Sequence, residues 1–146
     1  MNALHQSNRP GVLGTIGAAV ISLAAYSGVA FGDQVMVKLS GDQEVPAVKT
    51  AAAGSGTLTI NADMSVSGSV TTTGIAGTAA HIHMAGAGKN GPVAVPLAKS
   101  GDNVWSVAAG AKLTADQYKA YKAGELYVNV HSADNKGGEI RGQLKP

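Results

Sequence analysis

The histidines are the residues of this chain best suited to chemistry. The sequence contains four of them and no cysteine. His81 and His83 form a His-Ile-His run, and His131 ends a second alternating run, Tyr127 to His131. His5 lies in an N-terminal segment that we predict to be removed. Two histidines one residue apart on a strand, with a third on another strand, can supply three nitrogen ligands to one metal ion.

Strand parity predicts that these histidines share a face. Successive side chains of a strand point to opposite faces, so His81 and His83 lie on the outer side if Ile82 faces the core. The run ending at His131 alternates in the same way, which places His131 on the outer face too. If the two strands are neighbours, the three rings converge. The polar residues expected around them are Glu44, Tyr127, Asn129, Glu139 and Arg141.

The ligand types limit the metal. Without thiolates, a three-histidine site fits Cu(II) or Zn(II) and keeps a coordination position open. We expect copper, as Cu²⁺ or Cu⁺, with zinc as the alternative. Met84 follows His83 and could add a soft ligand for Cu⁺, but parity puts Met84 on the core face. The alternative is that the histidines are structural, as solvated side chains or as a hydrogen-bonded residue at a strand end.

Glu44 lies in a polar turn that leads into Pro46. Its carboxylate could ligate the metal or form a bidentate pair with Arg141. The alternative is a loop carboxylate with neither role.

The elements that must position these residues are short strands. The sequence is rich in Gly, Ala, Val, Thr and Ser, with turn signals at short intervals. Val35 to Leu39 shows the strand period clearly. The short run around Val93 and Val95 lies between Pro92 and Pro96, which predicts a strand at a sheet edge.

One segment departs from the strand period. Leu113 to Gly124 is predicted to form a short helix, with Thr114 as its N-cap and Gln117 as the capping-box partner. About eight strands and one short helix predict an all-β fold, an antiparallel β-sandwich or barrel.

The N-terminus has the order of a secretory signal. A polar start with Arg9 is followed by an apolar stretch, Val12 to Ala25, and then by small residues, Gly28 to Ala30. The apolar stretch is shorter than the roughly 20 residues that a membrane span needs. We predict a signal peptide over residues 1–30, one β domain over residues 31–146, and a periplasmic or secreted protein. The alternative is an uncleaved N-terminal anchor.

Charge and composition exclude two classes of partner. The chain has 11 Lys and Arg against 9 Asp and Glu, and aromatic residues make up only 4% of it, with no basic cluster. Nucleic acid is therefore not an expected partner. No basic amphipathic helix is present in the sequence, so we expect no membrane binding once the signal is cleaved.

A set of short motifs occurs along the chain in a characteristic order and spacing: Leu39 to Pro46, Gly54, Gly56, Ala80 to His83, Gly91, Gly124 to His131, and Gly138 to Gly142. In this arrangement the sequence resembles the CHRD domain, named after chordin, in its bacterial single-domain secreted form. The resemblance covers residues 35–146 and implies an extracytoplasmic all-β domain. Metal or copper binding through the paired histidines is a suggestion for that family.

The leading functional hypothesis is an extracytoplasmic metal-binding protein, for copper sequestration, delivery or tolerance, with His81, His83 and His131 as ligands. A site shared by two chains in a homodimer is a variant of it. The second hypothesis is a non-catalytic module that binds another protein or the cell envelope, with structural histidines. The third is a mononuclear copper or zinc enzyme. Catalysis is not our expectation, because no serine lies in a nucleophile elbow and the acids are scattered.

Overall fold

The computed structural model describes residues 32–146, so the predicted signal peptide over residues 1–30 and His5 lie outside the described residues. The described part folds into eight strands, one α-helix and a short 3-10 turn at Gly41–Gln43. The elements are β1 (Asp33–Ser40), β2 (Ala53–Ile60), β3 (Val66–Thr73), β4 (Gly77–Met84), β5 (Val93–Gly101), β6 (Val104–Val107), α1 (Ala115–Lys122), β7 (Leu126–Ser132) and β8 (Ile140–Leu144).

The eight strands form a closed antiparallel barrel in the order β1-β2-β3-β6-β5-β4-β7-β8. The ring closes where β8 pairs with β1, with Arg141 opposite Ser40. The prediction of an all-β fold with about eight strands and one helix is confirmed, and the form it takes is a barrel. The order places β4 and β7, the two histidine strands, side by side.

Alternation along the strands separates the barrel interior from its surface. In β1 the side chains of Val35, Val37 and Leu39 are buried, whereas Met36 is 86% exposed. The same period continues around the ring, because one face of each strand must fill the barrel. The interior is apolar and includes Leu58, Ile60, Val70, Ala80, Ile82, Val95, Val128, Val130, Ile140 and Leu144.

Two glycines allow strands to approach closely. A Cβ at Gly56 would collide with the backbone of Ser69 and Val70 on β3. A Cβ at Gly142 would collide with the carbonyl of Lys38, where β8 meets β1. Gly142 therefore permits the pairing that closes the barrel.

The helix packs on the barrel as the sequence predicts. Thr114 accepts a hydrogen bond from the Gln117 amide, and the Gln117 side chain accepts one from the Thr114 amide, which completes the capping box. Tyr121 is fully buried and Tyr118 packs against the core. The α-helix is eight residues long, and no helix of the described part is long and apolar enough to cross a membrane.

The prediction of a short edge strand around Val93 and Val95 is wrong. β5 extends to Gly101 and lies between β4 and β6. Pro96 is tolerated because β5 pairs with β6 only from Leu97 onward. At Pro96 the strand has a partner on one side only, opposite His81 of β4, so the sequence pattern resembles that of an edge.

We expect Leu58→Ala to lower the free energy of unfolding by about 2–5 kcal/mol, because Leu58 is 0% exposed and the substitution leaves a cavity in the barrel. Thr57→Ala, at the exposed neighbouring position, is the control and should change it by less than about 0.5 kcal/mol. Urea denaturation of both variants is the measurement. Equal effects would show that the barrel interior is not the main source of stability.

Candidate functional site

The three histidines lie together on the outer face of the β4–β7 pair. The register sets His81 opposite Asn129, His83 opposite Tyr127, and Ala79 opposite His131. Because residues two apart share a face, His131 is the diagonal neighbour of His81. The three side chains therefore converge on a non-core face, as strand parity predicts.

The rings are close enough to act on one ion. His81 Nδ1 lies 3.0 Å from His131 Nε2. One nitrogen from each of the three rings lies within 4.8 Å of the others. All three residues are partly buried. Within the part of the chain that the structure describes, this cluster of three histidines includes no carboxylate.

Backbone carbonyls fix the tautomers of two rings. His83 Nδ1 lies 2.9 Å from the Gly91 carbonyl oxygen, and His131 Nδ1 lies 2.9 Å from that of Lys136. A carbonyl oxygen only accepts, so each Nδ1 carries the proton and each Nε2 presents a lone pair. His83 Nε2 is buried and has no hydrogen-bond partner among the described residues. Metal-bound histidines usually have this arrangement, in which the second ring nitrogen donates to a carbonyl or carboxylate.

The spacing suits a metal ion. Two nitrogens bound at about 2.0 Å, with a roughly tetrahedral or square angle at the metal, lie about 2.8–3.3 Å apart. The 3.0 Å between His81 and His131 is within that range. His83 completes the set with a modest inward shift, since the cluster spans at most 4.8 Å.

Electrostatics keeps two of the rings neutral, which is the form that binds metals. Burial lowers the pKa of His81 below its usual 6.5, and the neighbouring His131 and His83 lower it further. Burial also lowers the pKa of His83, although the Gly91 carbonyl and the Asn129 side chain partly oppose this effect.

The His83 ring belongs to a three-layer stack. It lies parallel to the Tyr127 ring, with a centroid separation of 5.0 Å and an angle of 6°. The Arg141 guanidinium covers the opposite face of Tyr127, 3.4 Å from the ring centroid. The stack fixes the plane of the His83 ring and therefore the direction of its Nε2 lone pair.

Arg141 also holds the Gly-rich loop between β4 and β5, residues 85–92, over the site. Its guanidinium is 1% exposed and donates to the carbonyls of Lys89 at 2.8 Å and Gly86 at 3.1 Å. The same loop provides Gly91, whose carbonyl accepts from His83 and whose amide donates to the Tyr127 hydroxyl at 3.3 Å. Arg141 is therefore a positioning residue that acts on His83 through both the stack and the loop.

A β-bulge in β5 brings Gly91 to His83. Ile82 pairs with Val95 but His83 pairs with Val93, so Ala94 is an extra residue on β5. A Cβ at Gly91 would collide with the Met84 carbonyl. Only glycine fits there, which explains why this loop ends in one.

Two further residues predicted around the rings are buried beside Arg141. Asn129 is 2% exposed and its Nδ2 donates to the Gly137 carbonyl at 3.3 Å. Glu44 is 5% exposed, and burial raises its pKa to about 6, against the opposing effects of the Arg141 charge and of Asn129. The bidentate pair considered for Glu44 and Arg141 is not formed, because the guanidinium is directed at the loop carbonyls and at Asn90 and Gln143.

Glu139 is held by hydrogen bonds to residues outside the histidine cluster. Its carboxylate accepts a 2.7 Å hydrogen bond from Thr50. Hydrogen bonds from Ser132 and Thr50 lower the pKa of Glu139. Met84 packs against the core, as parity predicts. Of the residues predicted around the histidines, three act on the His83 ring, either directly or through the stack: Tyr127, Asn129 and Arg141.

The sequence gives little signal for the groups that orient the rings. The acceptors of His83 and His131 are backbone carbonyls, at Gly91 and Lys136, whose positions depend on the fold. Gln143 was also not among the residues predicted around the site. It donates to the carbonyls of Ala85, after β4, and Gly124, before β7, and so ties the segments that contain them to β8. Its place two residues after Arg141 on the same strand face is the only sequence clue.

The sequence profile of the CHRD domain matches residues 35–144 of this chain, so the protein belongs to the CHRD domain family. The match includes β4, β7 and every residue of the histidine cluster. Comparison with curated proteins and with solved structures gave no match.

We expect Arg141→Ala to lower the free energy of unfolding by on the order of 3 kcal/mol, because it removes two hydrogen bonds to loop carbonyls and leaves a cavity where a buried side chain was. The control is Lys122→Ala, which removes a half-exposed ion pair with Asp33 and should lower the free energy of unfolding far less, because water screens an exposed ion pair. Both are measured by urea denaturation. Similar losses in the two variants would contradict the role assigned to Arg141.

The raised pKa of Glu44 predicts a pH-dependent contribution to stability. Folding disfavours the ionised carboxylate, so the contribution is fully present below pH 4.5 and is lost as the pH rises through about 6. We therefore expect the free energy of unfolding of wild type, minus that of Glu44→Gln, to fall between about pH 4 and about pH 8. A difference that is constant with pH would show that Glu44 titrates normally.

Proposed function

We propose that this protein is an extracytoplasmic metal-binding protein that holds one copper ion through His81, His83 and His131, for sequestration, delivery or tolerance. The observation that carries the proposal is the state of the Nε2 atoms. His83 Nε2 is buried without a partner, while its Nδ1 is engaged by a carbonyl. A buried lone pair without a donor is unfavourable, and a metal ion satisfies it.

The ligand set supports copper ahead of zinc. The chain has no cysteine, so the thiolates of structural zinc sites are absent. Imidazole binds both metals, and Cu(II) binds nitrogen ligands more tightly than Zn(II) does. Zinc remains the competing metal in the test below.

The surroundings of the cluster support binding without catalysis. A mononuclear metal enzyme needs an acid or base within reach of the open coordination position. Among the described residues the histidine cluster includes no carboxylate. Glu139 does not belong to the cluster, and its carboxylate is engaged by Thr50.

The extracytoplasmic part of the proposal draws on the N-terminal sequence and on the family. Residues 1–30 have the order of a secretory signal, and the CHRD resemblance implies an extracytoplasmic domain. A protein without disulfides is compatible with an oxidising compartment when its core is sufficient.

We expect residues 31–146, freed of metal, to bind one Cu(II) per chain, and single His81→Ala, His83→Ala and His131→Ala variants to bind it at least about 100-fold more weakly. Isothermal titration with Cu(II), and with Zn(II) in competition, measures both. Met84→Leu is the matched control, since Met84 neighbours His83 in sequence but packs against the core, and its affinity should equal that of wild type.

Size-exclusion chromatography of the loaded protein separates a site within one chain from one shared by two copies. One copper per monomer supports the proposal, and half a copper per chain in a metal-dependent dimer moves the site to an interface. Unchanged copper affinity in His83→Ala, or no tight binding by the wild-type protein, would make the histidines structural.

A further inference from the structure

Asn129 lies at the centre of the histidine cluster. On β7 it shares the outer face with Tyr127 on one side and His131 on the other. Across the strand pair it is directly opposite His81. Tyr127 in turn stacks on His83. Asn129 therefore neighbours two of the histidines, His81 and His131, and the tyrosine that orients the third.

The Asn129 side chain is buried with its two ends in different states. Its Nδ2 donates to the Gly137 carbonyl, and it also neighbours the Glu44 carboxylate. Its Oδ1 has no hydrogen-bond partner among the described residues. An amide oxygen left alone in a buried position is costly, so this atom needs a donor or a cation.

Two buried acceptors therefore belong to neighbouring side chains, since the Asn129 side chain is close enough to the His83 ring to influence its pKa. His83 Nε2 presents a lone pair, because its Nδ1 donates to Gly91, and Asn129 Oδ1 presents another. Two acceptors cannot hydrogen-bond to each other, so neither atom satisfies the other. A cation between them satisfies both atoms at once.

We propose, building on the proposed function, that Asn129 Oδ1 is the fourth donor of the metal ion, on its buried side, and that the site therefore selects Cu(II) over Cu(I). An amide oxygen is a hard donor, and three imidazoles with one oxygen give the nitrogen and oxygen set that Cu(II) favours. Cu(I) favours thioethers and thiolates, and the neighbouring thioether, Met84, packs against the core.

The surroundings of Asn129 hold its oxygen toward the rings. Rotating the amide by half a turn would set its oxygen against the Gly137 carbonyl, which is an acceptor. Gly138 leaves the space that this arrangement needs, because a Cβ there would collide with Asn129 Nδ2 and Glu44 Oε1. The amide orientation is thus set by the loop that also holds His131 through Lys136.

Two substitutions separate ligation from a structural role. Asn129→Ala removes the oxygen and the bond to Gly137, whereas Asn129→Asp removes that bond but keeps an oxygen at the same position. If Asn129 is a ligand, we expect Asn129→Ala to weaken Cu(II) binding at least about 10-fold and Asn129→Asp to keep or tighten it. If Asn129 only supports the loop, both variants should weaken binding alike, and that result overturns the proposal.

Spectroscopy and the oxidation state give independent readouts. The Cu(II) electron paramagnetic resonance spectrum of Asn129→Ala should gain line broadening in ¹⁷O-labelled water, because water replaces the amide oxygen. Cu(I) affinity, measured against a competing chelator, should be the same in wild type and in Asn129→Ala. If Asn129→Ala lowers the Cu(II) and Cu(I) affinities by the same factor, the proposed selectivity for Cu(II) is contradicted.

The metal-free variants are first compared by circular dichroism and urea denaturation, so that a folding defect is recognised. If Asn129→Ala does not fold, the Asn129→Asp spectrum, in which a carboxylate should replace the amide oxygen, decides the question. Wild-type protein that binds no copper overturns this proposal together with the proposed function. Copper binding that needs the three histidines and is unchanged in both Asn129 variants overturns the fourth donor alone.

Discussion

The register between β4 and β7 is the constraint on which the site depends. It sets His81 opposite Asn129 and His83 opposite Tyr127, with the apolar residues of both strands inside the barrel. A slip of one residue would exchange the two faces, which would bury the histidines in the core and expose Ile82 and Val128. The register is therefore enforced by the hydrophobic interior, although the interior contains none of the histidines. Fold stability and site geometry depend on the same pairing.

Outside the barrel wall, loops cover a second, polar layer. Tyr127, Asn129 and Arg141 point away from the interior, yet each is at most 2% exposed. The loop ending at Gly91 and the loop around Gly137 cover them, and each loop supplies a carbonyl to a histidine or to Asn129. The guanidinium of Arg141 holds the first of these loops by its backbone. The rings are thus oriented by main-chain groups, and these have little freedom to move.

Much of this structure could be predicted from alternation alone. The period of two gave the strands, the shared face of His81, His83 and His131, and the core position of Met84. The capping pair Thr114 and Gln117 gave the helix. The carbonyls of Gly91 and Lys136 could not be predicted, because every residue has a carbonyl and only tertiary structure decides where it points. Pro96 gives β5 the sequence pattern of an edge strand, because the strand is unpaired on one side at that position. The partners of Arg141 could not be predicted either, because its guanidinium binds backbone carbonyls that the sequence cannot locate.

The His81–His131 contact at 3.0 Å has a consequence for how the empty protein behaves. Without an ion, His81 Nδ1 can donate its proton to His131 Nε2, so these two rings are hydrogen-bonded to each other. The apolar interior lies on the other face of the strands and needs no ion for its packing. On the proposed function, the barrel therefore folds before it takes up the ion. The ion then adds its binding free energy to the stability of a barrel that is already formed.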